Sequence, residues 1–142
     1  MVLRRLPLLG ATALALLAAV AYAAASIERH RRFGSNAFDL GLFDQAVLGF
    51  SRFEPRADNT ILGTPNLFGN HFEPIMVLFA PLYWIWDDVR AILSAQAVLL
   101  AASSLPLFLW ARQALGTAAA FAFQAAYLLF WAILAGNLYD FH

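Results

Sequence analysis

The chain has 142 residues, 62% of them hydrophobic and only 13% charged, far from the roughly 45–50% apolar and ~25% charged of a soluble domain. Nine arginines balance nine acids with no lysine, so the formal charge is zero and the basic excess that would hold nucleic acid is missing. Cysteine is also absent, which excludes disulfides, thiolate metal sites and cysteine nucleophiles. The class this leaves is an all-α integral membrane protein with the lipid bilayer as its solvent.

Arg4 and Arg5 precede the first apolar run, Leu6–Ile27, whose 22 residues carry no charge. At 1.5 Å per residue it covers about 33 Å, enough for a hydrocarbon core of about 30 Å, and predicts a spanning helix over about 6–27. The basic start and the small residues Ala21, Ala23 and Ala25 also resemble a cleavable signal, although the run exceeds the roughly 7–15 residues of a signal core.

A loop follows, Glu28–Asp88, which carries most of the charge together with helix-breaking Gly, Asn and Pro. Within it, FDLGLFDQAVLGFSRF places Phe43, Ala46 and Phe50 at helical spacing, predicting an amphipathic surface helix over 38–52 whose stripe faces membrane or protein. Asp39 falls on that stripe, four residues before Phe43, whereas Asp44 lies about 140° further round, so the two carboxylates are no facing pair. Asp39 is also placed to cap the helix, and Asp44 to be a plain surface charge.

Residues 74–86 would reach only about 20 Å as a helix, too short to span, and contain Pro81. A re-entrant or interfacial segment is expected there, with Trp84 and Trp86 at headgroup level ahead of Asp87 and Asp88. Two further spans are predicted, about 89–110 and 117–136, joined too tightly around Arg112 and Gly116 to be anything but antiparallel neighbours. The whole of 1–142 is then one membrane domain of three transmembrane helices, and its end at His142, soon after an apolar run, suggests the N-terminal part of a longer protein.

This topology brings Asp39, Asp44, His71, Glu73, Asp140 and His142 to one face of the membrane. His71 with Glu73 and Asp140 with His142 share a spacing of two, which points both members of a pair the same way in an extended chain. Imidazole and carboxylate together suit a divalent metal ion such as Zn or Mn, while Glu73 before Pro74 equally suits a helix start. Arg29, Arg31, Arg32, Arg52, Arg56 and Arg90 lie on the loop side against Arg4, Arg5 and Arg112 on the other. Counted alone, that puts the loop in the cytoplasm; a signal-like start puts it outside. With the loop outside, Arg31 and Arg32 are candidates to bind an anionic headgroup or lipid phosphate, the alternative being a solvated charge cluster at a helix end.

The strings FDLGLFDQ, GNHFEPI and NLYDFH, in this order and separated by these apolar runs, resemble the prokaryotic polytopic membrane family called domain of unknown function 2079. The resemblance covers the chain from about Phe38 to its end. Members of that family are similar to the C superfamily of membrane glycosyltransferases, which implies a polyprenyl-phosphate sugar donor, an external first loop carrying an essential acid, and an inner-membrane location. On this resemblance Asp39 and Asp44 are the candidate catalytic acids with His71 beside them, and Glu73, Asp140, His142, Arg31 and Arg32 are candidate substrate contacts. Phe68, Phe72, Tyr83 and Trp84 are candidates to wall the sugar or the prenyl chain. The rival reading is a transporter component or a non-catalytic scaffold. The spans offer only Gln96, Gln124 and a few hydroxyls to a transport pathway, with no charge deep in the bilayer.

Overall fold

The computed structural model describes residues 6–35, 37–54, 63 and 73–139. Among them the chain is helical, with α1 (Leu6–Arg31), α2 (Ala37–Ser51), a 3-10 helix (Pro74–Phe79), α3 (Ala80–Ile85), α4 (Arg90–Ala102), α5 (Ser104–Leu115), α6 (Thr117–Leu128) and α7 (Trp131–Tyr139). Three stretches are long and apolar enough to cross a membrane: Leu6–Arg31, Arg90–Leu115 and Thr117–Tyr139.

The first helix runs four residues beyond its apolar stretch. Arg29, His30 and Arg31 occupy its last turn, where cations complement the negative end of the helix dipole. Its buried residues Ala11, Ala15, Ala19, Tyr22 and Ser26 recur every three or four positions and so share one face. Lipid offers no hydrophobic drive between helices, so close approach over small side chains supplies the packing. Ala19 and Tyr22 meet Ala97, Ala101 and Leu128, and Ala11 meets Phe108, Ala111 and Ala120. Leu16, Leu17 and Val20, on the other face, are exposed.

Both later spans are interrupted. The second breaks at Ser103, three residues before Pro106, which cannot donate to the carbonyl of Ala102. The third breaks at Leu129 and Phe130. Freed carbonyls at membrane depth need donors inside the protein, and three in the third span have them. Tyr22 donates its hydroxyl to the Leu128 carbonyl, Gln96 its amide to Gly136 at 3.0 Å and Ser26 its hydroxyl to Asn137 at 2.7 Å. The Asn137 amide returns to Tyr22 O at 3.0 Å and Ser26 Oγ at 2.8 Å. Deeper along the bundle, Gln124 bridges Ala11 O at 2.9 Å and Ser104 Oγ at 3.1 Å.

These bonds fix the topology. Ala11 lies beside Gln124 and Ser26 beside Asn137, so the first and third spans run parallel, with the second antiparallel between them. Gly116 makes the tight reversal with φ 90°, a backbone angle that favours glycine. Arg29 closes the far end, its guanidinium carbon 4.9 Å from the centre of the Tyr139 ring. The third span therefore finishes on the same side as the loop that follows α1.

The loop-side layer has its own core, in which Leu40, Leu42, Phe43, Ala46 and Val47 of α2 pack with Met76, Tyr83, Ala91, Ile92 and Leu93. The stripe predicted through Phe43 and Ala46 thus faces protein, with Phe50 partly buried at its edge. Residues 74–85 do not cross. They fold as the 3-10 helix and α3 against α2, and Trp84 Nε1 donates to Ser51 O at 2.7 Å to hold them there.

Candidate functional site

The site begins with the way α1 ends. Phe33 N donates to His30 O and Gly34 N to Arg29 O, both at 2.9 Å, the paired reversal that closes a helix with one residue in the left-handed region. That residue is Phe33, at φ 57°. Gly34 follows because a Cβ there would meet the Arg29 side chain at 3.0 Å and its carbonyl at 3.2 Å. The turn also sets Ser35 Oγ 2.9 Å from His30 Nδ1.

The reversal folds the chain back over α2 and leaves a cleft of about 480 Å³ lined by His30, Phe33, Ser35, Leu40, Gly41, Asp44 and Val89. Phe33 stands almost fully in the open, at 96% exposure. Asp44 is the only acid among the lining residues. Its carboxylate accepts the hydroxyl of Tyr83, which is buried on the neighbouring short helix.

The electrostatics follow from that placement. Burial is the largest influence and pushes the Asp44 carboxyl above the ordinary aspartate range, with Asp88 and Asp87 adding to it, while the Tyr83 hydrogen bond and His30 pull the other way. Tyr83 is driven well above the usual phenol value by burial first and by Asp44 second, so it remains a proton donor. Asp88 goes the opposite way. Arg90 hydrogen bonds hold it below the usual range, through Nε to Oδ1 and Nη2 to Oδ2, each at 2.7 Å.

The residues singled out from sequence therefore part company. Asp44 is in the cleft. Asp39 is the third residue of α2, inside the helix rather than capping it, and is not among the cleft's lining residues. Glu73 precedes the 3-10 helix with Pro74 at its first turn, and its side chain makes no capping bond. Arg32 pairs with Glu28 at 2.7 Å on the exposed surface, Arg31 is exposed beside it, and neither lines the cleft. His71, Asp140 and His142, with Phe68 and Phe72, lie outside the described residues. Among the described residues no group of three or more His, Asp and Glu is placed to hold a metal ion.

Two contributors, His30 and Ser35, are absent from the residues singled out from sequence, and Tyr83 is among them only as an aromatic wall for the sugar or prenyl chain, not as a partner of Asp44. His30 sits in an arginine-rich string that disguises it, and Ser35 is an ordinary loop serine. Tyr83 does carry a signal: a buried phenol in an apolar segment needs a hydrogen-bond partner. Chemically the arrangement offers a carboxylate that ionises above its normal range, oriented by a fixed hydroxyl donor, with an imidazole lining the same opening. Such a group can accept a proton from a bound hydroxyl at near-neutral pH.

The family described as Predicted membrane protein (DUF2079) matches residues 29–142. No curated protein and no solved structure matches the chain.

Proposed function

The chain belongs to the predicted membrane proteins of DUF2079, and from that membership together with the Asp44 cleft we propose that it is a glycosyltransferase taking sugar from a polyprenyl-phosphate donor. It works in the cell (inner) membrane of a prokaryote, with residues 28–88 on the outer face. The observation that carries the reading is the half-buried Asp44 carboxylate, with its raised pKa and its Tyr83 donor, opening into a cleft at the loop-side end of the bundle.

Asp44 accepts the proton of the acceptor hydroxyl as that oxygen attacks the anomeric carbon. The bond from that carbon to the phosphate oxygen breaks, and the lipid phosphate leaves with the electron pair. Tyr83 holds the carboxylate in position, and Phe33 offers an exposed ring beside it for the apolar face of a sugar. Arg31 and Arg32, exposed where α1 ends, are the residues proposed to meet the donor phosphate. Asp39, His71, Glu73, Asp140 and His142 are the further residues proposed to contact substrate or a divalent metal ion.

The rival transporter reading is disfavoured by how the span polars are used: Gln96, Gln124, Asn137 and Ser26 each hold one helix to another. The test is transfer from a polyprenyl-phosphate sugar in membranes carrying the complete protein. Asp44→Asn is expected to lower the rate by about a hundredfold or more, the scale of a lost general base, with insertion unchanged. Full activity in that variant removes the catalytic assignment, and Asp39→Asn in parallel reports whether the second acid matters.

A further inference from the structure

A second opening lies on the bilayer side of the same short helix. It has a volume of about 490 Å³ and is lined by Leu78, Phe79, Leu82, Ile85 and Trp86 on one wall and Ala91, Ser94, Ala95, Val98 and Leu99 on the other. Ser94 is its one polar side chain apart from the Trp86 indole, and that hydroxyl is already spent on Arg90 O at 2.7 Å. The groove therefore presents apolar surface with no unmet hydrogen-bonding demand. Leu78, Ile85 and Leu99 are more than half exposed.

We infer that this groove holds the prenyl tail of a phosphate-bearing lipid, so that the substrate enters sideways from the bilayer. The inference rests on the lipid-linked donor reading and adds where the lipid sits. Three features favour one lipid chain as the occupant. The wall from Ala91 to Leu99 is about 12 Å long at 1.5 Å per residue, close to the depth of one leaflet of a roughly 30 Å hydrocarbon core. Ala91 and Ala95 line the groove with the smallest side chains, so an apolar chain can lie close against that helix. At one end Arg90, the first residue of the second span, stands 5.2 Å over the Trp86 ring, with Nε and Nη2 turned to Asp88 and Nη1 outside that contact, a donor of the kind that suits a phosphate oxygen.

The groove and the acid cleft share one wall. Leu82 lines the groove, while the next residue, Tyr83, reaches Asp44 on the other side. Likewise Ala91 lines the groove and Val89 the cleft. A chain seated in the groove thus brings its head to the rim over which Asp44 works.

The experiment uses the full protein in liposomes and a photoreactive polyprenyl phosphate, with labelled peptides identified by mass spectrometry. Labelling is expected within 78–99, competed by excess unlabelled polyprenyl phosphate and not by phosphatidylglycerol. Ala95→Trp and Val98→Trp, which fill the groove from different heights, are each expected to cut it by about fivefold, equivalent to ~1 kcal/mol. Equal labelling by a photoreactive phosphatidylglycerol means that bulk lipid occupies the groove and overturns the inference. So does absence of label from 78–99, the result if another protein segment covers this face. Asp44→Asn is expected to label normally, so fully active Asp44→Asn with labelled 78–99 refutes the Asp44 assignment alone, labelled 78–99 with no transfer by the parent protein refutes the enzyme reading alone, and unlabelled 78–99 with an active parent and inactive Asp44→Asn refutes the groove alone.

Discussion

The hydroxyl of Tyr83 closes on the carboxylate of Asp44, joining a helix that follows the first span to one that leads into the second. Because the tyrosine stays protonated, the bond has one direction, and Asp44 is its acceptor.

That direction sets the outcome of Asp44→Asn on stability. The carboxyl titrates higher in the folded protein than in the unfolded chain. Above the unfolded pKa the native state therefore holds more proton, and stability falls as pH rises through the window between the two values. Removing the charge at neutral pH is expected to leave the protein as stable as the parent or more so, with the difference vanishing in acid. Thermal unfolding in detergent across pH checks this, and a large loss of stability at neutral pH would contradict it.

Tyr83→Phe removes an influence that lowers the Asp44 pKa. The acid limb of the pH–rate profile is expected to move upward, because the hydrogen bond that favours the charged form is lost. An unmoved limb would mean that the activity titrates on another residue.

Phe33 occupies the left-handed region at φ 57°, which costs an ordinary residue about 1 kcal/mol relative to glycine. Phe33→Gly is expected to be more stable than Phe33→Ala by about that amount, while both lose substrate affinity through the missing ring. The comparison needs unfolding midpoints and KM values for the two variants.

The spans were legible in the sequence because their signal is length and composition. Leu6–Ile27 has 22 uncharged residues, and residues 74–86 are too short and proline-marked to cross. The interruption at Leu129 was not legible, because nothing in AYLLFW announces it and the donor that meets its freed carbonyl, the Tyr22 hydroxyl, lies on another helix. At the site, Asp44 could be singled out by type and position. Its company could not, since His30, Tyr83 and Asp44 meet only through a helix reversal and the docking of α3.

Asn137 joins the third span to the first through Tyr22 O and Ser26 Oγ. Asn137→Ala is expected to cost about 1–2 kcal/mol, the upper part of the range for such bonds in lipid. Ser26→Ala in that background should cost less than it does alone, since the bond from the Asn137 amide is already gone while the bond from Ser26 Oγ to the residue 137 carbonyl remains. Additive losses in a double-mutant cycle would show that the two residues act separately.

The absence of cysteine makes the topology directly testable. Single cysteines at Phe33 and Tyr139 are expected to react with an impermeant thiol reagent from the same side, and one at Leu115 from the other. With the loop outside, intact cells label the first two only. The reverse pattern would put the Asp44 cleft in the cytoplasm and remove the basis for an external lipid-linked donor.

The Leu128 carbonyl also bears on biogenesis. A third segment entering lipid alone would carry that oxygen bare at the interruption, where hydrocarbon provides nothing to solvate it. Tyr22 is the side chain that relieves it. The interrupted third segment is therefore fully satisfied only once it packs on the first helix, which supplies the donor its own backbone lacks.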